Sequence, residues 1–315
     1  MIYDITLRLG YHYLSPVRDA RHVLRVRPLA DRFQTIESAG LEMQPQPDEA
    51  ASETDFFGNR IDPIALHARH GALKVTMRSR VAVERPELDL SATPALSALV
   101  RSAAHSRDPS GTSPIHFLGA SRMVQLDPGA GAYVAATLRG SPLAGEAMLS
   151  LAARIKTEFD YAPGTTTVRT TVAEAFAHRR GVCQDFSHVM IAGLRACGVP
   201  AAYVSGFIRT LPPPGQKRLE GADAMHAWVD VWLGPEIGWV GFDPTNGVAT
   251  SSDHIVVARG RDYADVAPID GVMMTAGPQS ATHSVDVVPL EETLAAAGEA
   301  MAGAPTTPEA TAAKA

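Results

Sequence analysis

Cysteine is nearly absent: the 315 residues hold two, Cys183 and Cys197, both in one short segment. A secreted scaffold stapled by disulfides needs more, so a reducing, cytoplasmic setting is expected. Lysine is scarce too, 4 against 24 arginines, and acids outnumber bases 34 to 28, giving a formal net charge of −6. With no excess of cations to neutralise phosphates, a nucleic-acid partner is not expected. The opening Met1-Ile2-Tyr3-Asp4-Ile5-Thr6-Leu7-Arg8 lacks the basic cap and apolar run of a signal peptide. Long hydrophobic runs are missing as well. The most apolar stretch, residues 189–207, is interrupted by Arg195, Gly198, Pro200 and Ser205, whereas a membrane span needs ~20 mostly apolar residues. No membrane association is therefore expected. No calcium loop, glycine-rich phosphate loop or G-x-S-x-G elbow is found. What remains is an ordinary folded composition, 45% apolar and 20% charged. The length suits two domains, or one with a large extension.

Residues 2–9 alternate, with Tyr3, Ile5, Leu7 and Leu9 against Asp4, Thr6 and Arg8, so they read as a strand. Residues 21–27, 33–38 and 73–84 read the same way. Several short strands with turns and little helix predict an antiparallel β-sandwich at the start of the chain. Pro86 and Pro94 then mark a linker. Helices are predicted over 95–106, 145–159, 172–178 and 183–197; Thr171 and Glu174 form a capping box, and Gly198 with Pro200 ends the last helix. Residues 108–131, rich in Pro, Gly and Ser, read as a loop of unassigned role. Strands follow at 201–209, 225–233, 238–243 and 254–258, with a return at 283–289. The chain thus divides into a β-rich unit over 1–90, an α+β core over 91–290 and a disordered tail over 291–315.

Cys183 stands in Gly181-Val182-Cys183-Gln184-Asp185-Phe186, where Gly181 breaks one helix and Val182, Phe186, Val189 and Met190 begin the stripe of the next. The first helical turn has unpaired N–H groups and the positive end of the macrodipole, which favour a thiolate. Alone, a cysteine is more often a small buried side chain. His226 lies on a two-faced strand. Met225, Ala227, Val229, Val231 and Leu233 make an apolar row; His226, Trp228, Asp230 and Trp232 make the other. If Leu233 pairs with Gly238 across the turn, Asp243 falls opposite Trp228 and becomes the diagonal neighbour of His226, within roughly 7–8 Å. A slip of one residue would spoil both faces at once. Asp230, four residues along the strand, is roughly 13 Å from His226 and is excluded as its partner. Asp223 precedes the strand and is left undecided.

A cysteine at a helix start with a histidine and an aspartate on adjacent strands supplies nucleophile, base and orienting carboxylate. Helix-start N–H groups, including that of Cys183, offer an oxyanion site. Zinc is the competing chemistry for Cys and His. Cys183 and Cys197, roughly 21 Å apart on one helix, cannot share an ion, and His188 points elsewhere. No metal and no cofactor are expected.

These motifs, together with Tyr203-Val204-Ser205-Gly206-Phe207, His226-Ala227-Trp228, Gly238-Trp239-Val240-Gly241-Phe242-Asp243-Pro244-Thr245-Asn246 and Gly260-Arg261-Asp262-Tyr263-Ala264-Asp265-Val266, resemble those of the bacterial transglutaminase-like proteins. The opening alternation and Tyr11-His12-Tyr13-Leu14-Ser15-Pro16-Val17 resemble that group's β-rich N-terminal domain. The resemblance implies a papain-like core, a helix packed on an antiparallel sheet, with Cys183, His226 and Asp243 as the triad. It implies Gln184, Trp228 and Tyr203 as residues meeting the substrate, a protein or peptide. It does not imply crosslinking, since relatives include proteases, peptide N-glycanases and members without catalysis. Two departures stand out. Ala201-Ala202 replaces a frequent Ala-Arg, and Trp228, Trp232 and Trp239 all follow Cys183, so the tryptophan oxyanion donor of the animal enzymes has no counterpart. The expected activity is hydrolysis of a peptide or isopeptide, or acyl transfer to an amine. The alternative is a non-catalytic peptide-binding module reusing the cleft. Oligomeric state is left open.

Overall fold

The computed structural model describes residues 1–210, 221 and 223–291. The tail expected beyond Glu291 lies outside the described residues. The first unit is built from β1 (Ile2–Leu24), β2 (Gln34–Gln44), β3 (Glu49–Ala50), β4 (Glu53–Thr54), β5 (Arg60–Leu66) and β6 (His70–Val83). Helices α1 (Leu96–Ala104), α2 (Pro128–Leu138) and α3 (Ala144–Glu158) follow, then β7 (Asp160–Tyr161), α4 (Val172–His178), β8 (Arg180–Gly181) and α5 (Cys183–Ala196). The chain continues through β9 (Ala201–Ile208), β10 (Ala224–Trp232), β11 (Trp239–Asp243), β12 (Val248–Ala249), β13 (His254–Gly260), α6 (Tyr263–Val266), β14 (Ile269–Met274) and β15 (Gln279–Pro289).

Where two short strands were expected, β1 is one long strand. Its first half pairs with β6 and β15, Leu7 lying between Met77 and Val285. Its second half pairs with β5 and β14, Val23 lying between Pro63 and Asp270. Two antiparallel leaves thus share β1, and the whole sheet has eight strands. The register slips between His12 and Val17 and between Arg18 and Arg21. Asp19 sits in the second slip at φ +48°, a backbone that aspartate tolerates better than most residues. Pro16 falls in the first slip, where a missing N–H removes no ladder bond. β14 and β15 return to this sheet, although the sequence placed residues 269–289 with the core. Val285 and Val287 complete the buried row of Ile5 and Leu7.

The second sheet has the order β12-β11-β10-β9-β13, antiparallel throughout. Helix α5 lies across β9 and β10 with α2, α3 and α4 around it. Val189, Met190 and Leu194 of the helix and Ala227, Val229, Val231 and Phe242 of the sheet are all buried. Each large side chain contributes ~1.5–3 kcal/mol by leaving water. Residues 108–131 do not form one loop. Residues 114–117 make a 3-10 turn, and α2 starts at Pro128, capped by the Asp127 carboxylate accepting the Ala130 N–H at 2.7 Å. Two of the glycines that suggested a loop, Gly129 and Gly131, are contact residues of α2: a Cβ on Gly129 would press on Phe176 and one on Gly131 on Ala196, while across the contact a Cβ on Gly193 would strike Val134. Without side chains there, α2 and α5 approach closely.

The edge strand β13 is sealed by the N-terminal unit. Gln34 gives its amide N–H to the Val256 carbonyl at 2.8 Å and accepts the Val256 N–H at 2.9 Å. Asn59 treats Arg259 the same way, both bonds at 2.7 Å. Both amides are wholly buried, so the two units are docked by satisfied backbone groups. No helix of the described residues is long and apolar enough to cross a membrane.

Candidate active site

Helix α5 begins where a buried acid meets a glycine. Asp185 accepts the Val182 N–H at 2.8 Å and the Thr166 hydroxyl at 2.8 Å on one oxygen. A Cβ at Gly181 would collide with that carboxylate, so only glycine lets the chain turn into the helix over it. Burial pushes the Asp185 carboxyl up, and the two donors pull it back in part. The turn presents Cys183, half-buried and unpaired, at the first helical position.

The hairpin of β10 and β11 supplies the other two groups. Val229 faces Phe242, Val231 faces Val240, and the Leu233 N–H reaches the Gly238 carbonyl at 2.8 Å. In that register His226 Nε2 lies 2.7 Å from Asp243 Oδ2, and both side chains are buried. Nε2 is thereby committed to the carboxylate, which leaves Nδ1 as the ring's free nitrogen, and Cys183 lies near enough for its charge to raise the ring's proton affinity. The rival acids are engaged elsewhere. Asp230 accepts from Arg259 Nε at 2.7 Å, and Asp223 accepts the N–H groups of Thr210 and Val287.

Asp243 is saturated with donors. Oδ1 accepts the N–H groups of Thr245 and Asn246 at 2.8 and 3.1 Å. Oδ2 takes His226, the Asn246 amide at 2.6 Å and, at 3.3 Å, Nε2 of His254. Burial works against the carboxylate's charge, but these donors outweigh it and hold its pKa far below the ordinary range. Burial likewise opposes charge on His226. The hydrogen bonds to Asp243 and Cys183 and the attraction of their negative charges overcome it, and its pKa is pushed up to about 10. At neutral pH the His226 ring is thereby held charged beside the Asp243 carboxylate.

His254 escaped the sequence reading. It reads there as the first residue of a strand, and only the pairing of β13 with β9, where it lies opposite Ile208, carries it to Asp243. His226, Asp243 and His254 bring three ligand-type atoms within 4.8 Å of one another. Both ring nitrogens face the same carboxylate oxygen as donors, however, so neither directs a lone pair at a cation there. His188 is buried and accepts the Tyr263 N–H at 3.2 Å; burial lowers its pKa to about 4, so it stays neutral.

The three residues expected to meet substrate fare differently. Gln184 follows Cys183 and donates to the Val168 carbonyl at 3.3 Å. Val168 in turn lines a cavity of about 840 Å³ with Leu126, Arg122, Arg169 and Tyr263. Trp228 is wholly buried, its ring edge-on to His254 at 5.3 Å and 6.1 Å from the His226 ring. It crosses over Gly206, where a Cβ would strike the indole. Tyr203 is buried against His188 at 5.1 Å, and burial, with the charge of Cys183 next, keeps its hydroxyl protonated. Both rings thus back the site from inside and do not line an open cleft. Tyr203 is covered by α5, and Trp228 by the N-terminal unit: Leu29 packs against the cluster of Trp228, Val204 and Val256 on the second face of β10, which the strand's own sequence leaves undefined.

Comparison with known proteins agrees with this architecture. Residues 132–244 match the transglutaminase-like superfamily, and residues 3–82 match the bacterial transglutaminase-like N-terminal region. An uncharacterized protein of Mycobacterium tuberculosis is 37% identical over 303 residues, 92% of this chain and 93% of its own. A protein-glutamine gamma-glutamyltransferase of Pseudomonas aeruginosa is 34% identical over 108 residues, 32% of this chain and 16% of its own. The crystal structure of a proposed cysteine protease from Cytophaga hutchinsonii superposes with a TM-score of 0.71 over 91% of this chain and 90% of that one; at 22% identity the likeness is one of fold. Sheet, helix and sequence agree that the chain belongs to the transglutaminase-like superfamily, its core preceded by a bacterial transglutaminase-like N-terminal region.

Proposed function

We propose that the protein is a thiol enzyme that opens an amide bond through an acyl-enzyme on Cys183. The observation that carries the reading is the buried His226 imidazole, fixed by Asp243 at 2.7 Å on a strand against which α5, the helix that begins at Cys183, is packed. The Cys183 thiolate attacks the amide carbonyl carbon, and the carbonyl π electrons move to oxygen. The N–H of Cys183 and its neighbours in the first turn of α5, free of intrahelical partners, donate to that oxyanion. The tetrahedral centre collapses, the C–N bond breaks, and the His226 imidazolium gives its proton to the leaving nitrogen. A thioester remains. Water or a primary amine then attacks it, the neutral imidazole takes the proton of the attacking group, and the thiolate departs. Asp243 keeps the Nε2 proton in place, so that Nδ1 faces the sulfur.

The acyl donor is a protein or peptide. The cavity beyond Gln184 supports this, because the exposed Leu126 and Val168 offer apolar contact beside Arg122 and Arg169. The test is mass spectrometry of a peptide library incubated with the enzyme, with and without a primary amine. Cleavage, deamidation and amine incorporation leave different mass changes. Turnover by wild type that vanishes in Cys183→Ala supports the reading. Equal turnover in that variant, or none by wild type on any peptide, defeats it.

A further inference from the structure

The reaction proposed above uses three side chains, yet a fourth titratable group is built into the cluster. Ser251 N–H points at His254 Nδ1 at 3.2 Å, while the His254 N–H donates back to the Ser251 carbonyl at 3.1 Å. A backbone N–H can only donate, so Nδ1 accepts and the ring's proton sits on Nε2. Nε2–H then donates to Asp243 Oδ2 at 3.3 Å, the same oxygen that holds His226 at 2.7 Å. The ring is buried, and the edge-on Trp228 fixes its plane. Two imidazoles, 6.3 Å apart between centroids, thus share one carboxylate oxygen.

We propose that His254 is a positioning residue that acts through Asp243: as the neutral Nε2–H tautomer it donates to Oδ2 and limits how firmly the carboxylate retains the imidazolium's proton. This rests on the thiol-enzyme reading for its consequence in turnover, but not for its electrostatics. A donor to a carboxylate withdraws charge from it, and a less basic carboxylate binds the neighbouring imidazolium less strongly. The acyl-enzyme needs the opposite of what acylation needs. His226 must be neutral to take a proton from water or an amine, so a carboxylate that gripped the imidazolium harder would stall the second half of the cycle. Without His254, the N–H groups of Thr245 and Asn246 and the Asn246 amide still hold Asp243, so the carboxylate stays in place but becomes more basic. Among the described residues, the titratable groups on this cluster are Cys183 from α5, His226 from β10, Asp243 from β11 and His254 from β13. Asp253, next to His254 in the chain, accepts the Tyr3 hydroxyl at 2.7 Å and lies 3.8 Å from Arg209.

The decisive comparison is His254→Leu against His254→Gln, because the glutamine amide can reach the Nε2 position and leucine donates nothing. In a Cys183→Ala background, NMR titration of His226 reads the electrostatics without any appeal to catalysis. Leucine should raise the imidazolium's proton affinity about tenfold, moving the midpoint up by ~1 pH unit, and glutamine should leave it near the parent value. With the thiol restored, leucine should lower kcat and KM together at constant kcat/KM, with acyl-enzyme accumulating, and glutamine should restore kcat. An unchanged or lower midpoint in the leucine variant refutes the proposal, as does a glutamine variant as impaired as leucine. If the leucine variant does not fold, His254→Asn takes its place, since its shorter amide does not reach Oδ2. A raised midpoint with no turnover in any variant would leave the electrostatic role standing and sink only the enzymatic reading.

Discussion

Replacing Asp243 by asparagine keeps the shape of the carboxyl and removes its charge. Oδ1 can still accept the N–H groups of Thr245 and Asn246. The new amide nitrogen, however, faces three donors, His226 Nε2, His254 Nε2 and the Asn246 amide. His226 relieves the conflict by losing its Nε2 proton and accepting from the amide. Its remaining proton then lies on Nδ1, toward Cys183, where it cannot take the thiol's proton. Burial, the largest influence on His226 and one that lowers its pKa, is no longer offset by the carboxylate. The midpoint, raised to about 10 in the native site, should fall to near or below the ordinary histidine range. At neutral pH the ring changes from charged to mostly neutral and in the wrong tautomer. Turnover should fall by ~10³–10⁴, the scale found when a triad carboxylate is made an amide. NMR titration of His226, with iodoacetamide labelling of Cys183 across pH, reads both effects. A His226 midpoint still far above the ordinary range, or labelling at the wild-type rate near neutral pH, would refute the reasoning.

Three further outcomes follow. Cys183→Ala should abolish iodoacetamide labelling near neutral pH and leave thermal unfolding nearly unchanged, with Cys197, whose thiol burial pushes up, contributing little; equal labelling would remove Cys183 as the activated thiol. Stability should depend on pH through the buried pair. His226, raised to about 10, stabilises the fold fully below its unfolded value near 6.5, and that contribution fades as pH climbs from there toward 10. Asp243, depressed, contributes above its unfolded value near 3.8 and loses its contribution as pH falls below it. Denaturant unfolding across pH should lose both limbs of this dependence in the double variant His226→Gln/Asp243→Asn. Finally, Gly206→Ala should destabilise by about 2 kcal/mol or more, because the new methyl strikes the Trp228 ring and the Ile255 carbonyl; a melting temperature equal to wild type would contradict that packing.

Local pattern carried the parts of the molecule that are themselves local. The two faces of β10 and the return of β11 admit one register, and that register places Asp243 beside His226. Gly181 and Gly198 bracket α5 for reasons written in the chain, a crowded turn and a positive-φ stop. What stayed hidden depends on partners distant in sequence. His254 gains its role by strand pairing, and β14 and β15 by returning to a strand near the other end of the chain. Trp228 lies inward because Leu29 of the other unit covers a face that β10 shares with polar residues. Helix α2 was hidden by glycines that serve close helix contact, though Asp127-Pro128 was a usable start signal.

The proposed reaction turns on an acyl-enzyme on Cys183 relieved through His226. Intact-protein mass spectrometry of the chain quenched in acid during turnover of an activated peptide ester or amide tests it most directly. One added acyl mass is expected in wild type, located on Cys183 by fragmentation, persisting longer in His226→Ala and absent from Cys183→Ala. An acyl mass that survives the loss of Cys183, or turnover that proceeds with no adduct on that sulfur even in His226→Ala, would contradict it.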